Sequence, residues 1–439
     1  MRQRISVEHL SSSLSEEDIL QSSTAITHQI QALSQLDSNE LAFCHEKIAL
    51  ANENTAFLLR QWLQLHIKGF PDPELAYLRL IERQFVQLRQ AYLALYRFAP
   101  GLIFQLKDAE PEVFIWLVLH TPLGEKTTHL LAAFEAIKNS VPKLAELLVV
   151  KSALTNLDLT LAEAIDANLG EPARYFELLK LRQTLSSSLI KRWLKAGIIK
   201  DKTAHVTLAS FNVADSIEWV HDHLDYDQAL FERLLVKHDR NTWFRQYFGI
   251  EPKAIESAQV HTYAKLLELK EFDAFDVRAE LAPQQYALRG ETSWTEAVLD
   301  YLPELDEFEG EVWLGALYVV YGDLLPIKPS QFGIEHDWES VLSMLAAWRD
   351  KQQFKLKLPS RLGYALSFES SLSAMQTCEV HVDFRAWIWQ QLCLHSRVYL
   401  PWNGYFSASH QQHLFNKIKH TEAAAERFNL RNHNAVVGH

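Results

Sequence analysis

The chain has 439 residues, 48% hydrophobic and 22% charged, a balance that excludes disorder as its dominant state and leaves ample core for roughly two to three domains or one extended repeat array. Its 14 Gly and 14 Pro come to about 3% each, against averages of about 7% and 5%, so folds that place glycine at frequent tight turns (sandwiches, barrels, nucleotide-binding sheets) are disfavoured and long helices favoured. A net charge of −12 repels phosphate backbones and anionic lipid, so neither nucleic acid nor membrane is expected as the main partner.

In chain order, MRQRISVEHLSSSLSEED holds no signal-peptide core, and no later run reaches the ~18 apolar residues of a spanning helix. Cys44, Cys378 and Cys393 lack C-x-x-C spacing and suggest neither a disulfide framework nor a zinc ribbon. A cytoplasmic, reduced protein without membrane insertion is the expectation.

Ser15 followed by Asp18 makes a box-like cap for a first helix ending near Leu33. Asn39 to His66 reads as a long helix stopped at Gly69, with apolar Leu41, Ile48, Phe57, Leu58 and Trp62. Asp72 and Pro73 open the next, which runs to Pro100 and Gly101; its stripe of Leu80, Phe85, Leu88, Tyr92 and Leu95 reads as a core face.

Shorter helices are expected over about 127–139, 142–154 and 159–168, then one long helix from Pro172 to Gly197. FIWLVLHTPLGEKTTHLL, residues 114–131, has the outline of a strand, a loop and a helix. A P-loop needs two glycines to wrap phosphate with backbone N–H groups, yet Leu119 holds the first position and Glu125 intrudes before Lys126. No nucleotide site is expected there. The basic run of 180–202 reads as a solvated helix face.

Residues 198–212 break the helical period with β-branched residues and suggest the boundary between an N-terminal helical bundle, 1–200, and a C-terminal helical region, 201–439. Just beyond, SIEWVHDHLDYDQALFERLLVKHD gathers His221, His238 and Asp239 in the order used by the all-helical HD-type metal phosphohydrolases. Lys237 and Arg240 flank that His-Asp pair and raise the cost of holding another cation. The same letters read as a helix end carrying His221 and His223, then a helix start capped by Asp225 and Gln228. On an intact helix the two imidazoles point about 200° apart. No metal or catalytic residue is therefore assigned.

In the C-terminal part, His381, His395, His410 and His413 with Cys393 form a second group, also read as structural because Ser409 and Gln412 suggest a helix start around the last two. Helices expected over 293–302, 311–325 and 337–353 recur about every twenty residues, the interval of HEAT-type repeats. Between the first two lies DYLPELDEFEGE, read as an inter-helix loop. Its Asp300, Glu304, Asp306, Glu307, Phe308, Glu309 and Glu311 are the interaction-surface candidates, suited to a basic protein partner.

RLGYALSFESSLSAMQTCEVHVDFRAWIWQQLCLH, residues 361–395, resembles the closing segment of HEAT-like helical-repeat proteins encoded beside bacterial type VI secretion systems. The likeness lies in Arg361, Gly363, Leu366 and Ser367, then a helix, an acidic turn and an Arg-led helix at Arg385. It covers about 35 residues and implies a non-catalytic accessory role.

The expected fold is all-α, an N-terminal bundle of long helices followed by a HEAT-like helical array. The expected function is a non-enzymatic protein-binding scaffold, adaptor or chaperone without cofactor or small-molecule substrate. The alternatives are an HD-like phosphohydrolase using His221, His238 and Asp239, and an acidic immunity protein that neutralises a basic toxin.

Overall fold

Proline decides where many of the helices begin. In the computed structural model, which describes residues 2–10, 14–70, 76–223, 230–252, 255–352 and 354–430, Pro100, Pro111, Pro142 and Pro172 each occupy the first position of a helix, where the missing N–H costs nothing. The described chain is all-α, with one two-residue-by-two-residue hairpin as its only ladder of strands. It divides into two units, Met1–Leu65 with Asp72–Val213 and Tyr405–Ser407, and His66–Pro71 with Ala214–Gly404 and Ala408–His439.

The first unit carries α1 (Glu16–Gln31), α2 (Ser38–Ile67, its last two residues in the second unit), α3 (Ala76–Phe98), α4 (Pro100–Ala109), α5 (Pro111–Leu119), α6 (Thr127–Ile137), α7 (Pro142–Lys151), α8 (Leu157–Asp166), α9 (Pro172–Arg182), α10 (Ser187–Lys195) and α11 (Asp201–Ser210). The Ser15–Asp18 box forms as the sequence predicts, with the Ser15 N–H donating to Asp18 at 2.7 Å. Helix α5 has no polar side after Glu112: every residue from Val113 to Leu119 is buried, and α4, α6 and α7 pack around it. The part of this stretch with the outline of a strand is a helix, and Gly124 after it serves packing, since a Cβ there would meet the Val118 carbonyl oxygen at 2.4 Å.

Two further expectations change. The long helix from Pro172 breaks at Gln183, which turns left-handed (φ 60°), and Ser186 caps a new helix through the Leu189 N–H. Within 198–212, Asp201–Ser210 form α11 despite the β-branched content of the segment, because Ala204 and Leu208, four apart, give it a buried face. The Asp72 and Pro73 start of α3 lies outside the described residues.

The second unit contains α12 (Ala214–His223), α13 (Leu230–Val236), α14 (Arg240–Phe248), α15 (Ala258–Leu266), α16 (Ala282–Arg289), α17 (Thr295–Tyr301), α18 (Glu307–Tyr321), α19 (Trp338–Asp350), α20 (Phe368–Met375), α21 (Val382–Ser396), α22 (Ala408–Lys419) and α23 (Ala424–Asn429). Helix α18 is buried continuously from Trp313 to Tyr321 and packs on α16. A buried hydroxyl relay runs from Tyr286 through Thr295 (2.7 Å) to Tyr321 (2.7 Å) and ends on the Phe354 carbonyl (2.8 Å). Ser360–Arg361 pairs with Tyr364–Ala365 across a two-residue turn in which Leu362 (φ 54°) and Gly363 (φ 81°) are both left-handed, the turn that matches hairpin twist.

Helices leave their last carbonyls without intrahelical donors, and glycine in a left-handed cap is the usual remedy. Gly290 closes α16 in this way, and buried or half-buried arginines add to the few glycines at several helix ends. Arg182 donates to the Val149 and Ser152 carbonyls at the end of α7 while pairing with Asp158, and Arg361 donates to Ala287 and Leu288 at the end of α16. Arg240 reaches Leu234 and Leu235 at the end of α13, and the Leu394 carbonyl at 2.7 Å. Arg385, fully buried, donates to the Gly69 carbonyl at 2.7 Å and stacks on Trp402 (5.5 Å). Burial lowers the Arg385 guanidinium pKa to about 9.

Replacing Arg385 by Met keeps volume but strands buried carbonyls, so Arg385→Met is expected to cost about 3 kcal/mol, whereas Arg192→Met, at a half-exposed pair with Asp166, costs at most about 1 kcal/mol. Thermal midpoints of the two variants check this, and equal shifts would contradict it. A pH test concerns His120, whose Nε2 lies 3.1 Å from the Leu148 carbonyl oxygen and whose pKa burial lowers from 6.5 to about 4. The unfolded chain takes up the proton first, so this stabilisation is full above pH 6.5 and is lost as the pH falls toward 4. Urea midpoints at about pH 7 and about pH 5 should therefore fall more in the native chain than in His120→Asn.

Candidate functional site

The acidic segment 300–311 is not a loop. Tyr301 ends α17, Leu302–Glu304 make a 3-10 turn, and Asp306 caps α18 by accepting from the Glu309 N–H at 2.9 Å. Helix formation at Glu307 sorts the apolar residues of the segment: Leu302 and Leu305 turn inward and are buried, while Phe308 projects outward and is 83% exposed. Val312, one turn on, is also exposed and lies on the same face.

The acids divide by task. Asp300 pairs with Arg349 at 2.7 Å, Glu304 with Arg278 at 2.6 Å and Glu311 with Lys68 at 3.2 Å. Glu307 and Glu309 stand exposed in the first turn, where the helix dipole favours negative charge. Phe308 and Val312 are thus an apolar spot in an anionic setting, fixed on a helix whose next turns are core. Gly310 holds that helix close, since a Cβ there would meet the Trp338 ring at 2.4 Å.

The histidine groups take other roles. His223 stacks on Trp219 (4.9 Å) with Nδ1 3.1 Å from the Trp219 carbonyl oxygen. His238 is exposed, and Asp239 caps α14 through the Thr242 N–H at 3.1 Å; hydrogen bonds from the Thr242 side chain first, and from its N–H, hold the Asp239 carboxyl below the usual range. The His221 side chain, Asp225, Asp227 and Gln228 lie outside the described residues. His381 caps α21 through the Asp383 N–H, His395 sits 2.8 Å from the Leu266 carbonyl oxygen, and burial pushes the Cys393 thiol up to about 12. The helix around His410 and His413 begins earlier than Ser409 suggests, at Ala408, and Gln412 bonds Gln376 at 2.8 Å. Among the described residues, no three His, Cys, Asp or Glu side chains come together in a way that could hold a metal ion.

Lys265 is the most perturbed lysine of the second unit, with its pKa lowered by burial to about 8. Its ammonium donates to the Phe272 and Ala274 carbonyls at 2.6 Å each and lies 5.1 Å from the Trp294 ring centroid. Both bonds are stronger from the charged ammonium, and together they fasten the 270–274 turn.

A second surface escaped the sequence reading. The α3 stripe expected to be core is divided: Phe85 and Tyr92 are buried, whereas Leu80 is exposed and Leu88 and Leu95 are half-buried in an open groove shared with α2. Phe43 (59% exposed) and Leu50 (58% exposed) form its α2 wall, and Ala91, Leu95 and Phe98 its α3 wall. The available signal was a seven-residue recurrence, Ala42-Phe43, Ala49-Leu50 and Ala56-Phe57, on the side of α2 away from its buried stripe.

No family model, curated protein or solved structure matches the chain. Among the described residues no helix is long and apolar enough to cross a membrane.

The two kinds of residue at α18 separate by stability. Asp306→Ala, losing the cap, should cost about 1 kcal/mol, and Phe308→Ala less than about 0.5 kcal/mol. Thermal unfolding checks both, and a large loss at Phe308 would make it a packing residue.

Proposed function

We propose that the chain is a non-enzymatic protein-binding adaptor that docks a basic partner segment on the first turns of α18. The observation that carries this reading is Phe308: a large aromatic side chain, 83% exposed, between the exposed carboxylates of Glu307 and Glu309 in the first turn of a helix whose later turns are core. Aromatic anchors supply most of the affinity in such contacts, and surrounding acids select cationic partners and speed their encounter. The resemblance of 361–395 to helical-repeat proteins encoded beside type VI secretion systems supports a bacterial secretion apparatus as the setting, with the chain as a cytoplasmic accessory protein.

The test is quantitative co-purification from cells that carry such an apparatus. A basic protein should accompany the native chain and fall at least about tenfold in Phe308→Asp, the loss expected when a hot-spot side chain is removed. Glu307→Lys with Glu309→Lys should lower recovery of the same protein, with a weaker dependence on salt. A set of co-purifying proteins unchanged in both variants contradicts the reading.

A further inference from the structure

Along α2 run two apolar stripes. One contains Cys44, Ile48, Ala51, Leu58 and Leu59 and is buried; the other, Phe43, Leu50 and Phe57 at seven-residue intervals, is open to solvent. Beside the second stripe α3 runs antiparallel, with Ala94, Leu95 and Phe98 level with Phe43, and Leu88 and Ala91 level with Leu50. The two hollows share Leu95 and make one apolar trough along residues 39–54 of α2, about 22 Å at the helical rise and so about four turns long.

The borders of the trough differ in charge. At about 100° per residue, Glu46 and Glu53 fall on the side of Phe43 and Leu50 that faces away from α3, and both are exposed. By the same count Arg97 falls on the outer side of Ala91, away from α2, with Gln87 and Gln90 on that side and no carboxylate, and Arg83 continues it past the Leu88 end. One border is anionic and the other cationic. Glu40 and Lys47 line the trough itself, and the Lys47 ammonium lies 5.2 Å from the Phe43 ring centroid and 3.2 Å from Glu46.

We propose that this trough takes an amphipathic helix of another protein, with an apolar stripe flanked by cationic residues over α2 and anionic residues over α3. An apolar trough of this length is filled by i, i+3, i+4, i+7 anchors, and the opposed borders fix the direction in which the helix lies. A second copy of the chain fits less well. Pairing α2 with α2 sets Glu46 and Glu53 against their own kind, and crossing α2 over α3 brings Glu40 toward Glu40 and Lys47 toward Lys47 along the axis. The trough is chemically distinct from the α18 surface, being long, apolar and bipolar where that one is compact and anionic.

The experiment uses the full-length protein and three synthetic helical peptides with one apolar pattern, read by fluorescence anisotropy. One peptide carries Lys on one border and Glu on the other, one carries Glu on both, and one carries Lys on both. The mixed peptide should bind at least tenfold more tightly than either other, and Leu50→Glu should weaken it at least tenfold. Glu46→Lys with Glu53→Lys, which makes both borders cationic, should move the preference at least tenfold toward the Glu-bordered peptide. Near-UV circular dichroism checks that these exposed substitutions leave the fold intact; where Leu50→Glu disturbs it, Ala91→Arg on the exposed α3 wall takes its place. Equal affinities for the three peptides, or binding untouched by the wall variants, overturn the proposal. Sedimentation of the protein alone should show a monomer, and a dimer that Leu50→Glu dissociates would assign the trough to a second copy instead.

Discussion

Buried cations seated on helix-terminal carbonyls are the interaction on which the rest of the structure depends. A chain of many short helices has many ends, each presenting carbonyl groups that must be satisfied once packing removes water. Glycine usually solves part of that problem, and 14 glycines in 439 residues are few for it. Arg182, Arg240, Arg361 and Arg385 add to them, each spanning two or more carbonyls with a planar fork of donors. Seven glycines take positive φ among the described residues, and Asn168, Gln183, Asn212 and Arg397 do so as well, at a cost of up to about 1–2 kcal/mol each relative to glycine. The arrangement closes helix ends and draws neighbouring elements together in one step, because each guanidinium comes from a different element than the carbonyls it holds.

Within that frame the two units solve the hydrophobic problem in the same manner. Each wraps a helix without a polar side, α5 in one and the later turns of α18 in the other, and each fully buried large side chain there contributes about 1.5–3 kcal/mol. Rigidity at α18 is what gives Phe308 its meaning: the exposed first turn is carried by a helix locked in the core. Helices α2 and α3 present the opposite case, with more apolar surface than their unit covers. Contiguous apolar surface left in water tends to be functional, because it otherwise invites aggregation.

Local signals made the helical class and several helix starts readable. The Ser15–Asp18 box and Pro142 and Pro172 act within one turn, so no distant contact was needed to interpret them. Pro100 marks both a stop and a start, since proline suits both positions, and that ambiguity hides α4 in the sequence. The break at Gln183 depends on a left-handed residue that carries no glycine or asparagine signature. Periodicity identifies the apolar stripe of α3 but not whether a neighbour covers it; Leu88 and Leu95 share the spacing of Phe85 and Tyr92, and only the latter two are buried. In the acidic segment, composition pointed to the right residues, while the inward turn of Leu305 and the outward turn of Phe308 follow from the helix starting at Glu307.

The central claim is that exposed apolar side chains on these helices are contact points for other proteins. Site-specific photocrosslinking in living cells tests it most directly, with a photoreactive residue placed in turn at Leu50, at Phe308 and at an exposed polar control such as Glu16. The account predicts discrete protein adducts at Leu50 and Phe308, differing between the two positions, and none at Glu16. Adducts of equal yield and identity at all three positions, or none at either apolar position, would contradict it.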